Sequence, residues 1–264
     1  MVELTFLGTG TSNGIPIIGC HCPVCTSPDP RDRRGRTSAV VRFDGHTILI
    51  DTATELRLQA IQAGLDQVDA VLYTHAHADH VAGLDDLRRF NELNQAWLPV
   101  YADPLTAANL RERFAYAFQP QFPFFGGKPD LTLHEFTGPF TLFEREIIPI
   151  PVPHGRWQVQ GFRFGPLVYV TDAKTIPPAS LELMRDADIL VLNALRERPH
   201  PTHLSLGEAL AIIEEIQPRQ AYLVHLCHEL AHEVASARLP ANVAVAYDGL
   251  RVCTGRAWEP PVLP

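Results

Sequence analysis

Thr74-His75-Ala76-His77-Ala78-Asp79-His80 follows directly on the apolar run Ala70-Val71-Leu72-Tyr73, so three imidazoles and one carboxylate crowd what reads as a strand end. Burying four such groups without a cation is costly, and neutral imidazole with carboxylate suits divalent zinc, manganese or iron. A polar surface turn with a chance excess of histidine is the plain alternative, but the stretch runs on into the helical spacing Val81, Leu84, Leu87, Phe90. His75 and His77, two apart on an extended turn, point the same way and can chelate one ion. Asp79 and His80 open the helix and turn toward a second position. Two cations are implied.

The chain of 264 residues is long enough for one large domain with a full core, and we read residues 1–264 as that domain. Its 22 basic and 30 acidic side chains give a net charge of −8, and the only dense basic stretch is Arg31-Asp32-Arg33-Arg34-Gly35-Arg36, so a polyanion-binding protein is not expected. Met1-Val2-Glu3-Leu4-Thr5-Phe6-Leu7 lacks the basic start and apolar core of a secretion signal. No apolar run reaches membrane-spanning length. A soluble, cytoplasmic protein is the expectation, and five cysteines, three of them clustered too tightly for a disulfide framework, agree with a reducing compartment.

That cluster is Gly19-Cys20-His21-Cys22-Pro23-Val24-Cys25. Three thiolates supply three corners of a tetrahedral zinc site with Zn–S bonds of about 2.3 Å, and the fourth corner comes from elsewhere. His228 is the first choice, with His21 and Cys227 as rivals; three reduced cysteines in an ordinary loop is the bland reading. Such a closed site is structural and would fasten a zinc-binding loop at about 19–36 to the distant His225-Leu226-Cys227-His228 segment. The glycine-rich Gly8-Thr9-Gly10-Thr11-Ser12-Asn13-Gly14 has neither the lysine of a phosphate loop nor the spacing of a dinucleotide fingerprint, and reads as a tight strand exit.

Residues 37–43 and 47–50 flank Asp44-Gly45 as a hairpin, ending at Asp51, which either orients a ligand histidine from behind or simply makes the turn. A helix follows to Gly64, then, beyond the central motif, a strand at 98–101 and a helix at 104–118. An aromatic, Pro-broken insertion at about 114–130, densest in Phe122-Pro123-Phe124-Phe125-Gly126-Gly127, is a lid, a homodimer contact or a loop packed on the core. Three further apolar runs end in His154, Asp172 and His225, which fits an active site built from loops at one edge of a β-sandwich. Ser205 or Thr202 caps a helix at 206–217; His46 belongs to the hairpin, and His134 and His232 have no functional setting. The Pro-rich tail at 258–264 is expected to be loosely held.

The run T-H-x-H-x-D-H, followed by x-x-G-L, resembles the metal-binding signature of the metallo-β-lactamase-fold hydrolases. The resemblance spans nearly the whole chain and is nearest to the phosphoribosyl 1,2-cyclic phosphate phosphodiesterases, which share the C-x-C-x2-C loop and the late H-x-x-H pair. It implies a four-layer αββα sandwich (α/β, α+β) and, because residue 77 is His where the di-iron oxidoreductase branch has Glu, hydrolysis. It also implies one cation on His75, His77 and His154, a second on Asp79, His80 and His225, and Asp172 bridging them. A structural zinc would take Cys20, Cys22, Cys25 and His228, and His203, in the H-L-S pattern, would face the substrate phosphate, with His200 the weaker candidate. The aromatic stretch at 122–127 is the chief departure from the family and lies where substrate choice is made. The tRNA 3′-processing endonucleases share the central motif, but no Gly/Pro-rich arm or basic patch for tRNA is visible; the PQQ-related proteins share the cysteine loop but tend to have degraded metal motifs.

The expected activity is hydrolysis of a small, cyclic or linear, phosphodiester by a hydroxide shared between two cations (Mn or Zn, with Fe also tolerated), with Asp79 and His203 as catalytic side chains. A lactone or thioester hydrolase is the second enzyme reading, and a metal-dependent binding or carrier protein the non-enzyme one.

Overall fold

The computed structural model describes residues 1–119 and 127–255. Fourteen strands run in chain order: β1 Glu3–Gly8, β2 Ser38–Phe43, β3 His46–Ile50, β4 Ala70–Leu72, β5 Leu98–Ala102, β6 Leu131–Glu135, β7 Phe140–Leu142, β8 Arg145–His154, β9 Trp157–Phe164, β10 Leu167–Tyr169, β11 Ile189–Asn193, β12 Gln220–Val224, β13 Val243–Val245 and β14 Arg251–Cys253. They form two seven-stranded sheets, ordered β14-β1-β2-β3-β4-β5-β6 and β13-β12-β11-β10-β9-β8-β7.

Period-two side chains decide the layering. In β3, Ile48 and Ile50 enter the core between the sheets while Leu49 faces the opposite way; in β11, Ile189 and Val191 face inward and Leu190 and Leu192 outward. The strands are therefore apolar on both faces, as parallel strands covered by helices must be. Over the first sheet lie α1 Leu56–Ala63, α2 Ala78–Val81, α3 Arg88–Asn94, α4 Pro104–Arg113 and α5 Ala115–Phe118; over the second lie α6 Pro178–Met184, α7 Leu206–Ile216 and α8 His232–Ser236. The arrangement is the expected αββα sandwich. Among the described residues, no helix is long and apolar enough to cross a membrane.

The pairing also gives the site its rim. Strands β3 to β6 run parallel, as do β10 to β13, and β1 and β8 share those directions because each lies two antiparallel steps away. The loops leaving β1, β3, β4, β8, β10, β11 and β12 consequently gather at one edge of the sandwich.

Two expected helices are broken, for tertiary reasons. The pattern from Val81 to Phe90 divides into α2, a 3-10 turn Leu84–Leu87 and α3. The break is at Gly83, whose amide donates to the Thr52 carbonyl at 3.0 Å, and a Cβ there would lie 2.1 Å from the Ala53 oxygen. Only glycine lets the helix sit this close to the β3 exit. The expected helix at 104–118 is capped by Asp103 and splits at Phe114, after which Tyr116 donates to Asp85 and Ala117 is buried. Residues 122–126 of the aromatic stretch, and the tail at 258–264, lie outside the described residues.

His232, for which no role was expected, is buried at the start of α8, where its amide donates to Asp32 at 2.7 Å and its Nδ1 accepts from the buried Arg34 at 3.2 Å. Burial, then the Arg34 charge, push its imidazole down to about 4. The unfolded chain therefore takes up this proton first, and the stability contributed by a neutral His232 is lost as pH falls from the ordinary histidine range through about 4. Urea unfolding at pH 7.5 and 4.5 should show a smaller acid-induced drop in His232→Gln than in the parent protein.

Candidate metal centre

The site begins at β3. Asp51 follows it in a left-handed backbone conformation, φ 59°, and its fully buried carboxylate is pushed up by that burial while three donors hold it. The Thr74 amide donates to Oδ1 at 2.8 Å, the Thr74 hydroxyl to Oδ2 at 2.7 Å, and His80 Nδ1 to Oδ2 at 2.7 Å. With its own proton given to Asp51, the Thr74 hydroxyl accepts from His75 Nδ1 at 2.9 Å. His154 Nδ1 donates to the Thr202 carbonyl at 2.8 Å. Thr37 donates to the Gly10 carbonyl at 2.8 Å and so accepts from His225 Nδ1 at 2.9 Å. In His75, His80 and His154 the outer partner sits on Nδ1 and leaves Nε2 facing inward, the arrangement that second-shell bonds commonly impose on a metal ligand; in His225 it is Nδ1 that lies nearer Asp172, while Nε2 faces the Thr11 hydroxyl.

The lone pairs converge. His75 Nε2 lies 2.9 Å from His77 Nδ1, and His154 joins them within 4.8 Å. Two nitrogens bound at about 2.0–2.1 Å to a common tetrahedral zinc would be about 3.3 Å apart, a little wider than this pair. His75, His80 and Asp172 make a second such group, and His154, Asp172 and His203 a third. Asp79 and His225 stand at the margin: Asp79 Oδ2 is 3.4 Å from His80 Nε2, and Asp172 Oδ1 is 3.4 Å from His80 Nε2 and 3.3 Å from His225 Nδ1. His225 Nε2 lies 3.1 Å from the Thr11 hydroxyl. All seven expected ligands and His203 are thus brought to one rim, from β4, β8, β10, β12 and the loop before α7.

The electrostatics suit a cation. Burial keeps His75, His77 and His225 below the ordinary histidine range, hence neutral and able to ligate. Burial opposes a charged His80, yet Asp172, Asp51 and Asp79 outweigh it and raise this imidazole well above its usual value. Burial likewise opposes ionisation of Asp172, but His225 and His80 hold it well below the carboxylate range. Three carboxylates around one imidazole call for positive charge. Among the described residues, His80 Nε2 and His203 Nδ1 are buried with no hydrogen-bond partner, which suits both atoms to a metal or substrate.

In the loop at 19–36, Cys20, Cys22 and Cys25 surround His228, whose Nδ1 lies 3.3, 3.5 and 3.4 Å from their sulfurs. A tetrahedral zinc would place nitrogen and sulfur about 3.6 Å apart. His21 is exposed and Cys227 is buried outside the cluster, so geometry favours His228 among the three candidates. The Cys25 amide donates to Cys22 Sγ at 3.4 Å and pulls that thiol down to about 7. His46 stacks on Phe143 and His134 on Tyr101, both away from the rim. His200 lies behind His203, with 5.2 Å between ring centroids. Ser205, not Thr202, caps α7, in a capping box with Glu208.

Side chains at the site that were assigned no role from the sequence include Thr11, Thr37, Thr74, Thr171, Asn193 and Trp157, whose ring is tilted against His77 at 5.2 Å. Asn193 had the one usable signal, since it too is a polar residue closing an apolar strand.

A family model described as the beta-lactamase superfamily domain matches residues 46–226. The chain belongs to the beta-lactamase superfamily. Within this superfamily, the crystal structure of a diphosphatase from the PhnP family is 41% identical, superposes with a TM-score of 0.90, and is covered completely by 98% of this chain. Zn(2+)-bound PqqB from Methylobacterium extorquens, at 20% identity and a TM-score of 0.77 over 95% of this chain and 99% of its own, shares the fold. A ribonuclease Z from Mycobacterium marinum is 31% identical over 75% of this chain and 72% of its own length. An octanoyltransferase from Porphyromonas gingivalis is 39% identical over 253 residues, or 92% of this chain, which spans only half of that protein's length.

Asp51→Ala would leave three buried donors without an acceptor. It should lower stability by about 3 kcal/mol in urea unfolding, well beyond the cost of a surface Asp→Ala change.

Proposed function

We propose that this chain is a binuclear metal-dependent phosphodiesterase acting on a small phosphodiester, cyclic esters of the phosphoribosyl 1,2-cyclic phosphate type included. The observation that carries the reading is the convergence of Asp172 with His75 and His80, one histidine from each expected set, beside the separate group of His75, His77 and His154. His75, His77 and His154 would hold one cation, Asp79, His80 and His225 the other, with Asp172 between them. Zn, Mn and Fe all suit such N/O donors. When bound, two such cations supply a hydroxide from a shared water at neutral pH and neutralise the non-bridging oxygens of a phosphate.

The chain's own residues do the rest. Asp51 and Thr74 orient His80 and His75 so that their Nε2 atoms face the substrate side. His203, buried at the rim with Nδ1 3.8 Å from Asp172 Oδ2, is pushed down to about 3 by that burial, and as a neutral imidazole would donate a hydrogen bond to the phosphoryl group. Cys20, Cys22, Cys25 and His228 would hold a structural zinc that ties the first loop to the segment just after His225. The phosphoester assignment draws support from the full-length likeness to a PhnP-family diphosphatase and from the ribonuclease Z relatives. We further propose a free small molecule rather than nucleic acid as substrate, in keeping with the net charge of −8, and a cytoplasmic setting.

Metal content per chain, measured with turnover of bis(p-nitrophenyl) phosphate, a five-membered cyclic phosphodiester, a nucleoside diphosphate ester and an aryl lactone, tests the reading. Three metals per chain and turnover of a phosphoester are expected; lactone hydrolysis with no phosphoester turnover would replace it with the carboxylic-ester alternative. His203→Ala should lower kcat on the diester by about 10² to 10⁴-fold with metal content unchanged. His228→Ala should remove one metal per chain and lower the melting temperature while sparing the other two.

A further inference from the structure

Asp172 is the carboxylate on which two of the converging groups depend, yet it lies three residues past the end of β10, and its backbone is left-handed at φ 59°. A non-glycine residue adopts that conformation at a cost of about 1 kcal/mol or more, so something must hold it. The holding contact is one residue on. The Ala173 amide donates to Asn193 Oδ1 at 2.7 Å, and the Ala173 carbonyl accepts from Asn193 Nδ2 at 3.0 Å. One carboxamide thus satisfies both polar groups of a single residue, in the manner of a strand neighbour. Asn193 is fully buried and closes β11, two residues beyond the inward-facing Val191, so its side chain points into the space between the sheets just below the rim.

The same carbonyl of Ala173 also accepts from the Leu204 amide at 2.8 Å, and Leu204 directly follows His203. The next amide, Lys174, donates to the Pro153 carbonyl at 2.8 Å, directly before His154. Lys174 Nζ reaches Glu208 at 2.7 Å, and Glu208 receives the Ser205 amide at 2.7 Å. The three segments bearing His154, Asp172 and His203 are therefore laced together at Ala173 and Lys174, and Asn193 is the side chain that fixes Ala173 from below.

We infer that Asn193 is a positioning residue of this site: through both polar groups of Ala173 it sets the backbone of Asp172 and locks that carboxylate to the loop of His203. It touches neither cation nor substrate. The inference rests on the metal-site reading above. Outer partners of metal ligands commonly govern affinity or activity by about 10 to 100-fold.

The test is cobalt(II) titration of the metal-free protein, which reports the sulfur site by its thiolate charge-transfer absorption and the histidine cluster by its visible bands, combined with kcat and KM for bis(p-nitrophenyl) phosphate. Two variants are compared with the parent: Asn193→Ser, and the isosteric Asn193→Asp, which keeps an acceptor for the Ala173 amide but, ionised, offers its carbonyl no donor. Leu192→Ala, a cavity in the same strand that leaves the Ala173 bonds in place, is the control. Both Asn193 variants should bind cobalt at the histidine cluster about 10 to 100-fold more weakly, with the sulfur site unchanged and kcat falling more than KM rises. Cluster affinity within twofold of the parent in either folded variant, or an equal loss in Leu192→Ala, overturns the inference. If the parent itself takes up no cobalt at the cluster, the metal-site reading fails and the inference with it, an outcome visible before any variant is made.

Discussion

The buried Asp51 carboxylate is the contact on which the site depends. It sits at the exit of β3 and takes hydrogen bonds from the backbone and hydroxyl of Thr74 and the ring of His80. A buried anion is tolerated only when its lone pairs are met, and here every donor belongs to the segment that follows β4, from Thr74 to His80 in α2. The same bonds that satisfy Asp51 fix the tautomer of His80 directly and that of His75 through Thr74. Fold and chemistry are joined in one contact: the parallel pairing of β3 with β4 places the two strand exits side by side, and the carboxylate turns that adjacency into oriented ligands.

Much of the site was legible because its signals are local. The seven residues from Thr74 to His80 carry their own spacing, and the strand runs ending at His154, Asp172 and His225 announce themselves by hydrophobicity followed by one ligand-type residue. What was not legible depends on topology. Thr37 and Thr11 reach His225 only because the loop after β1 and the start of β2 lie beside the exit of β12, and a threonine beside a strand is otherwise unremarkable. The fourth partner of the cysteine cluster had three candidates by proximity in sequence, and the path of the chain after His225 separates them, sending the Cys227 side chain into the core and the His228 ring toward the sulfurs. Helix continuity failed as a guide at Gly83 and Phe114, where bonds to Thr52 and Asp85 outweigh the periodic pattern.

The sulfur cluster and the histidine cluster share a short tether. His225 and His228 are three residues apart, and between them Leu226 pairs with the glycine-rich loop through Thr9 and Thr11. Whatever steadies His228 therefore also steadies the backbone from which His225 extends. The cysteine loop is held a second time at its far end, where the buried Arg34 bonds Thr9 and the Ala246 carbonyl.

The outermost strands bear on how the molecule behaves in a crowded solution. Among the described residues, three of the four lateral strands, β7, β13 and β14, are only three residues long. An open lateral strand offers unpaired amides and carbonyls to any extended chain that meets it, and the strength of that invitation grows with its length. With so few positions to offer, these three margins give a second copy little to extend, which leaves the five-residue β6 as the longer open margin.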